Sequence, residues 1–330
     1  MPGITGVHHG ARRQIRISQE NDYGIVNPAP SWQTVPYLGD GFKLKASSPL
    51  YTPDTNYGGW VDKSIAIAHR QEVAGDLVTL PWPQITLLLL DMALQRDAGD
   101  EQDLYSYTVD HYTPVDPRRY RGTVAESLRI AVTGTGDGEV QLTVGLRAQD
   151  ETENDGLVPG DFSVAGIDQV PFMHAQSVLK VNAGVVADVE SWTLSVTNTM
   201  ESGPLGPKAG VTLGVVGFQV AGQREVTLDI NKLNRSDLFN RAIREALNIS
   251  FEATFTHPLG HVLQIQLPKL AVSASDEDAT PSRVAKEAPR MVALADAAGH
   301  CVVYAVDLSP ATTMAPLTTT AAATTTTTGT

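Results

Sequence analysis

His257 and His261 stand four residues apart in THPLGHV, a spacing that on a helix would bring two imidazoles to one metal ion. Pro258 and Gly260 between them predict a turn joining two strands instead, and no H-E-x-x-H pattern is present. His8 and His9 adjoin in a glycine-containing start and read as a solvated arm. His300 and Cys301 are neighbours in GHCVVYAV. On a strand their side chains point to opposite faces, so they form no nucleophile–base pair, and Cys301 reads as a small core residue. GTGDG, residues 134–138, has glycines spaced like a phosphate loop, but it lacks the Lys-Ser/Thr ending and a strand pattern follows it. There is no G-x-S-x-G elbow for a hydrolase serine. Carboxylates are plentiful, and because their separations are not legible in a sequence, a glycosidase pair stays open. No catalytic constellation emerges. The expectation is a non-enzyme with no catalytic, metal or cofactor-binding residues and no cofactor.

The elements that would position any site are mostly strands. Leu128, Ile130 and Val132 alternate with polar or small residues, as do Val140, Leu142, Val144 and Leu146. With GTGDG between them, these runs predict a long antiparallel hairpin. The same alternation recurs at Trp192–Val196, Val226–Ile230, Ile249–Phe255 and Leu263–Leu267. It predicts antiparallel sheet with one dry and one wet face. Two helices interrupt it. One spans about 83–96, entered through Pro81-Trp82-Pro83 and stopped near Gly99. The other spans about 236–247, with Ser236 as N-cap and an apolar stripe of Leu238, Phe239, Ala242, Ile243, Ala246 and Leu247. Trp60, Trp82 and Trp192 adjoin predicted elements and read as core. Each half of the chain therefore reads as strands, one helix, strands, with the acidic segment AQDETENDGLVPGD between the halves.

With 330 residues, 42% of them hydrophobic, the chain can bury a large core. A net charge of −13 argues against a broad basic face for nucleic acid and would repel DNA phosphates. The single cysteine precludes an intrachain disulfide. The start, MPGITGVHHGARR, lacks the apolar core of a signal peptide. The run ITLLLLDMAL is too short for a bilayer and contains Asp91, so it reads as a buried helix with no membrane role. ASDEDATPSR, 274–283, reads as an exposed loop. From Thr318 there are nine threonines in thirteen residues, with no apolar period, which predicts a flexible tail.

Residues 19–42, QENDYGIVNPAPSWQTVPYLGDGF, have three prolines and no period of their own, yet keep Tyr23, Trp32, Tyr37 and Phe42. Such a segment lies either across its own domain or across another copy.

The ENDYGI motif at Glu20–Ile25, followed by Trp32 in PAPSWQTVPY, resembles the N-terminal segment of phage major tail tube proteins. The order that follows is also similar: GGW at 58–60, the helix entered at PWPQ, LYSYTVDHY, YRGTVAESLRIAV, VESWTLSVTN and LPKL. The resemblance covers about residues 1–308; the threonine-rich end departs from it. It implies a mainly β fold of two antiparallel β-sandwich or barrel tube domains, each with one flanking α-helix. The expected layout is an arm with first strands over 1–45, tube domains over 46–160 and 161–309, and a tail over 310–330. It implies a structural virion protein whose homotrimeric, pseudo-hexameric rings stack into a tube, with DNA passing through the lumen during ejection. Tape measure, tail terminator and distal tail proteins are the implied partners. The aromatic arm is then expected to touch a neighbouring subunit through Tyr23, Gly24, Trp32 and Tyr37, and its removal with residues 1–30 to leave folded subunits that do not grow tubes. The competing expectation is a carbohydrate-binding or carbohydrate-cleaving β-sandwich, which requires aromatics and carboxylates gathered in one groove.

Overall fold

A computed structural model describes residues 13–308, apart from 48–49, 52–66, 69–71, 95–103, 135–137, 163–169, 204, 209–210, 216, 234–237, 279–285 and 298. Among the described residues the chain is mainly β. Its first half holds β1 (Gln14–Gln19), β2 (Gln33–Val35), β3 (Lys45–Ser47), β4 (Leu50–Tyr51), β5 (Ile67–Ala68), β6 (Glu72–Thr79), α1 (Pro83–Leu94), β7 (Tyr107–Tyr112), β8 (Arg118–Thr133), β9 (Val140–Ala148) and β10 (Asp150–Glu153). Its second half holds β11 (Ser177–Val181), β12 (Gly184–Val185), β13 (Val189–Thr197), β14 (Met200–Ser202), β15 (Leu205–Lys208), β16 (Val211–Val215), β17 (Phe218–Val220), β18 (Glu225–Leu233), α2 (Leu238–Arg244), β19 (Asn248–Thr256), β20 (Val262–Asp278), β21 (Lys286–Ala293) and β22 (Val303–Asp307).

The strand pairings of the two halves repeat. β1 pairs with β2 and β7, β7 with β8, β8 with β9 and β10, β9 with β6, and β6 with β3. In the same way β11 pairs with β12 and β19, β19 with β20, β20 with β21 and β22, β21 with β18, and β18 with β13. Even the irregularities coincide. The β7–β8 register shifts between Tyr107 and Val109, and the β19–β20 register between Ile249 and Phe251. The β8–β9 register shifts between Ala125 and Ser127, and the β20–β21 register between Val272 and Ala274. A bulge adds one residue and re-aims the strand beyond it, so a bulge at a matching place bends each long strand alike.

The halves are joined into one sheet of sixteen strands by β13, which pairs antiparallel with the C-terminal part of β8 from Ser191↔Thr133 to Thr197↔Ser127. The dry face of this sheet carries Leu128, Ile130, Val132, Leu142, Val144, Trp192, Leu194, Leu228 and Ile230, all buried. Trp192 packs edge-on to Phe251 at 5.5 Å and against Phe255 at 6.1 Å, so it is core as its position predicts. The wet face along β13 carries Ser191, Thr193, Ser195 and Thr197. This is the alternation the sequence shows. β18 and β21 are further tied by a buried ion pair, Lys232 to Glu287 at 2.9 Å.

Helix α1 buries Ile85, Leu89, Leu90, Met92 and Ala93, and Trp82 packs partly buried on the same core. Asp91 sits at its margin, where its carboxylate accepts from the Tyr304 hydroxyl at 2.5 Å; burial raises its pKa and that hydrogen bond opposes the rise. The Asn198 amide caps the last turn, donating to the Ala93 and Ala125 carbonyls at 2.9 and 3.0 Å. Such partners are needed because the final carbonyls of a helix have none within it.

Three local expectations change. Helix α2 is shorter than its sequence pattern, Leu238–Arg244; Phe239 and Ala242 are buried, but Ile243 and Leu247 are exposed and Ala246 has a φ of 50°. A left-handed residue ends a helix, so the stripe breaks there. The segment 274–278 is not a loop but the end of β20, paired with β21 from Ala274↔Arg290 to Asp278↔Lys286. Backbone pairing here outweighs the polar composition. Cys301 lies on a bend before β22 rather than on a strand, partly buried against the core. Trp60, Ser236, His8, His9 and 310–330 lie outside the described residues.

His111 on β7 offers a test of packing through pH. Its ring stands edge-on to Phe42 at 4.8 Å and its buried Nε2 has no hydrogen-bond partner among the described residues. Burial first, then the nearby Arg13 charge, lowers its pKa to about 4, against a weaker opposing effect of Asp116. In the unfolded chain the same group titrates near ~6.5. Between those values the unfolded state binds the extra proton, so the subunit loses stability as pH falls from about 6.5 to about 4, and no more from this group below that. Melting temperatures across this range should fall, and His111→Gln should flatten that part of the profile.

Candidate assembly surface

The arm lies across its own chain. Glu20, buried, holds it from both sides: one carboxylate oxygen accepts from the Gly24 N–H at 2.8 Å, the other from Thr108 Oγ1 at 2.7 Å and the Gly122 N–H at 3.0 Å. Gly24 has a φ of 71°, and a Cβ there would collide with the Gln149 amide. The positive φ favours glycine at this position of the ENDYG motif, whereas the flexible Gln149 side chain could swing aside. The Tyr23 hydroxyl donates to the Gly122 carbonyl at 3.2 Å, while its ring packs on a small cluster of Leu104, Val124, Phe218 and Met200.

Further along, Trp32 lies beneath the Arg16 guanidinium, 4.3 Å from its ring centre, with Arg119 at 5.7 Å. Both arginines converge on Asp110 of β7, which is fully buried. Arg119 donates to it at 2.6 and 2.9 Å, and Arg16 at 3.0 and 2.9 Å. A planar guanidinium suits both the two-pronged carboxylate and the aromatic face, as lysine would not. Tyr37 leans on Phe42 at 6.2 Å; its hydroxyl is buried with no hydrogen-bond partner among the described residues, and desolvation raises its pKa.

Thus Tyr23, Gly24, Trp32 and Tyr37 do not converge on one spot: Tyr23 and Trp32 pin the arm to β1 and β8, Gly24 folds it back onto Glu20, and Tyr37 rests on Phe42. What the arm turns outward is a rim of Asn21, Asp22, Ile25, Pro28 and Ala29. The residues doing the pinning, Glu20, Asp110, Arg16 and Arg119, carried no signal of their own in the sequence. A carboxylate inside YTVDHY reads as a wet-face residue until two arginines from other strands are seen to meet it.

Among the described residues, the histidine and cysteine candidates form no catalytic arrangement. His257 and His261 stack at 5.4 Å in the turn between β19 and β20, where the His257 N–H donates to the His261 carbonyl and the His257 ring bonds the Val170 carbonyl at 2.9 Å. No group of three or more metal-ligating residues occurs among the described residues. Nor do Tyr23, Trp32, Tyr37, Trp82 and Trp192 gather in one groove with carboxylates.

The sheet has open margins. β13 is hydrogen-bonded on both sides, to β18 and β8, whereas among the described residues its counterpart β3 pairs only with β6. The C-terminal part of β8 is likewise paired on both sides, by β9 and β13; among the described residues the matching part of β20, beyond Ala271, pairs only with β21. Open strand edges recruit another strand.

Among the described residues the subunit presents a large antiparallel sheet with open edges. The family model for phage tail tube proteins matches residues 10–299, and the chain belongs to that family. It is a structural protein of the virion tail. No curated protein matches the chain. No helix among the described residues is long and apolar enough to cross a membrane.

Proposed function

We propose that three copies of this chain close into a ring that looks six-fold, and that such rings stack into the tube through which DNA leaves the virion. One observation supports this above the others: the two halves share one pairing pattern with coincident bulges, and β13 of the second half docks on β8 of the first. Each half is then one tube domain, about Gln14–Glu153 and Ser177–Asp307, so β1 belongs to the first domain rather than to a separate arm. These proposed bounds stand beside the expected 46–160 and 161–309. Stacking uses a head-to-tail contact, which leaves the tube open for the next ring. The outward rim at Ile25, Pro28 and Ala29 is placed to meet a neighbouring subunit, with Tyr23, Gly24, Trp32 and Tyr37 setting its shape from behind.

The wet face of the sheet lines the channel in this reading. Its centre is the hydroxyl row of β13, and several charges beside it are paired, Arg147 with Glu126 at 2.8 Å and Arg290 with Asp229 at 3.9 Å. Such a wall, on a chain of net charge −13, has little hold on phosphate. Tape measure, tail terminator and distal tail proteins are the partners this role requires. Cryo-electron microscopy of assembled tubes is expected to resolve three chains per ring. Six chains per ring would overturn the fused-domain reading, and a lumen dominated by lysine and arginine would overturn the account of DNA passage.

A further inference from the structure

The β8–β13 junction inside one chain is a template for the junction between chains. Superposing the two halves by their bulges sets Glu126 on Ser273 and therefore Arg129 on Asp276. The β6 and β18 registers set Lys45 on Ser195, Ala46 on Val196 and Ser47 on Thr197. Within the chain, Ser195 stands opposite Arg129 and Thr197 opposite Ser127. Carried to the open edges, this register has a single result. We propose that β3 of one copy pairs antiparallel with the C-terminal half of β20 of the next, Lys45 opposite Asp276 and Ser47 opposite Ala274. The inference rests on the tube reading above and specifies its contact.

Two independent features fit. Continuing the register sets Lys43 opposite Asp278 and Leu44 opposite Glu277. Lys43 and Lys45, both exposed, thus stand opposite Asp278 and Asp276, while Glu277 alternates to the other face, opposite Leu44. Opposite charges in cross-strand register favour pairing, and the same edge approaching its own kind is penalised. The template junction has no such charge matching; there Ser195 faces Arg129. Matched charge is needed where partners must find each other in solution, and not where the chain already joins them.

The backbone is also directed correctly. The Lys43 N–H donates to the Asp76 carbonyl at 2.9 Å and the Val78 N–H to the Gly41 carbonyl at 2.7 Å. Alternation along an antiparallel ladder then turns the Ala46 N–H away from β6, toward the open side. It is not left bare: it donates to Glu151 Oε2 at 2.8 Å. In the junction the Ser275 carbonyl of the neighbour takes that acceptor position, so Glu151 satisfies the edge donor of the free subunit and yields it on assembly.

Opposite residues of a non-hydrogen-bonded antiparallel pair lie close enough for a disulfide, and in this register Lys45 and Asp276 form such a pair. Tubes of the Lys45→Cys/Asp276→Cys chain, in a Cys301→Ala background and mildly oxidised, should run on non-reducing gels as covalent dimers and closed trimers. The out-of-register Ser47→Cys/Asp276→Cys chain should remain monomeric. Tubes without the first cross-link overturn the junction and leave the tube reading intact; wild-type protein that never forms rings or tubes removes the reading beneath it. If the cysteine pair does not assemble, Lys45→Asp and Asp276→Lys should each lower tube yield severalfold and together restore it. Failure of the double variant to recover yield also overturns the junction.

Discussion

Asp110→Ala is expected to destabilise the subunit by about 3–5 kcal/mol, the usual cost of removing one partner from a buried ion pair. Asp110 is completely buried and is the shared acceptor for Arg16 and Arg119, whose side chains are only 11% and 25% exposed. Alanine leaves two positive charges side by side with nothing between them, in a region too dry to screen them well. Trp32 then loses the oriented guanidinium that covers it, so the arm loosens with the strand. At roughly 2–4 °C per kcal/mol, the melting midpoint should fall by about 10 °C. Asp110→Asn keeps an acceptor of similar shape and should lose less. Calorimetry of the three proteins checks the order, and a loss below about 1 kcal/mol for the alanine variant would show that the arginines find other partners.

The second large effect comes from removing residues 1–30. A sequence reading that treats this stretch as a free arm expects the truncated subunit to stay folded. The structure leads to the opposite result. Ile15 and Ile17 of β1 are fully buried, and β1 is hydrogen-bonded on one side to β2 and on the other along its whole length to β7. Truncation removes both isoleucines, Arg16 and Glu20, uncovers Val109, and opens a new edge at β7. Each buried isoleucine lost is worth about 2–5 kcal/mol, so two exceed the stability of a marginal domain. The truncated chain is expected to be insoluble or to lack a cooperative melt; deletion of 1–12, which keeps β1 and Glu20, is the matched comparison. A cooperative transition at the normal temperature after removal of 1–30 would refute the role given to β1.

Much of this protein was legible before any coordinates. Alternation at Leu128–Val132 and Val140–Leu146 specified a hairpin because a period of two is the only arrangement that hides every second side chain. The PWP entry specified the start of α1, since proline both fits the first helical turn and stops the chain before it. The order of aromatic and glycine motifs from ENDYGI onward was enough to identify the family. Tertiary structure alone decided the rest. That 274–278 is strand and not loop depends on β21 lying alongside, and a polar stretch carries no record of its distant partner. That Asp110 is a buried hub depends on arginines 94 and 9 residues away reaching it. That Lys45 and Asp276 occupy corresponding open edges depends on registers across eight strands, each set by hydrogen bonds between residues far apart in the chain. Local pattern is written in neighbouring residues; pairing and register are settled only when separate segments compete for the same backbone groups.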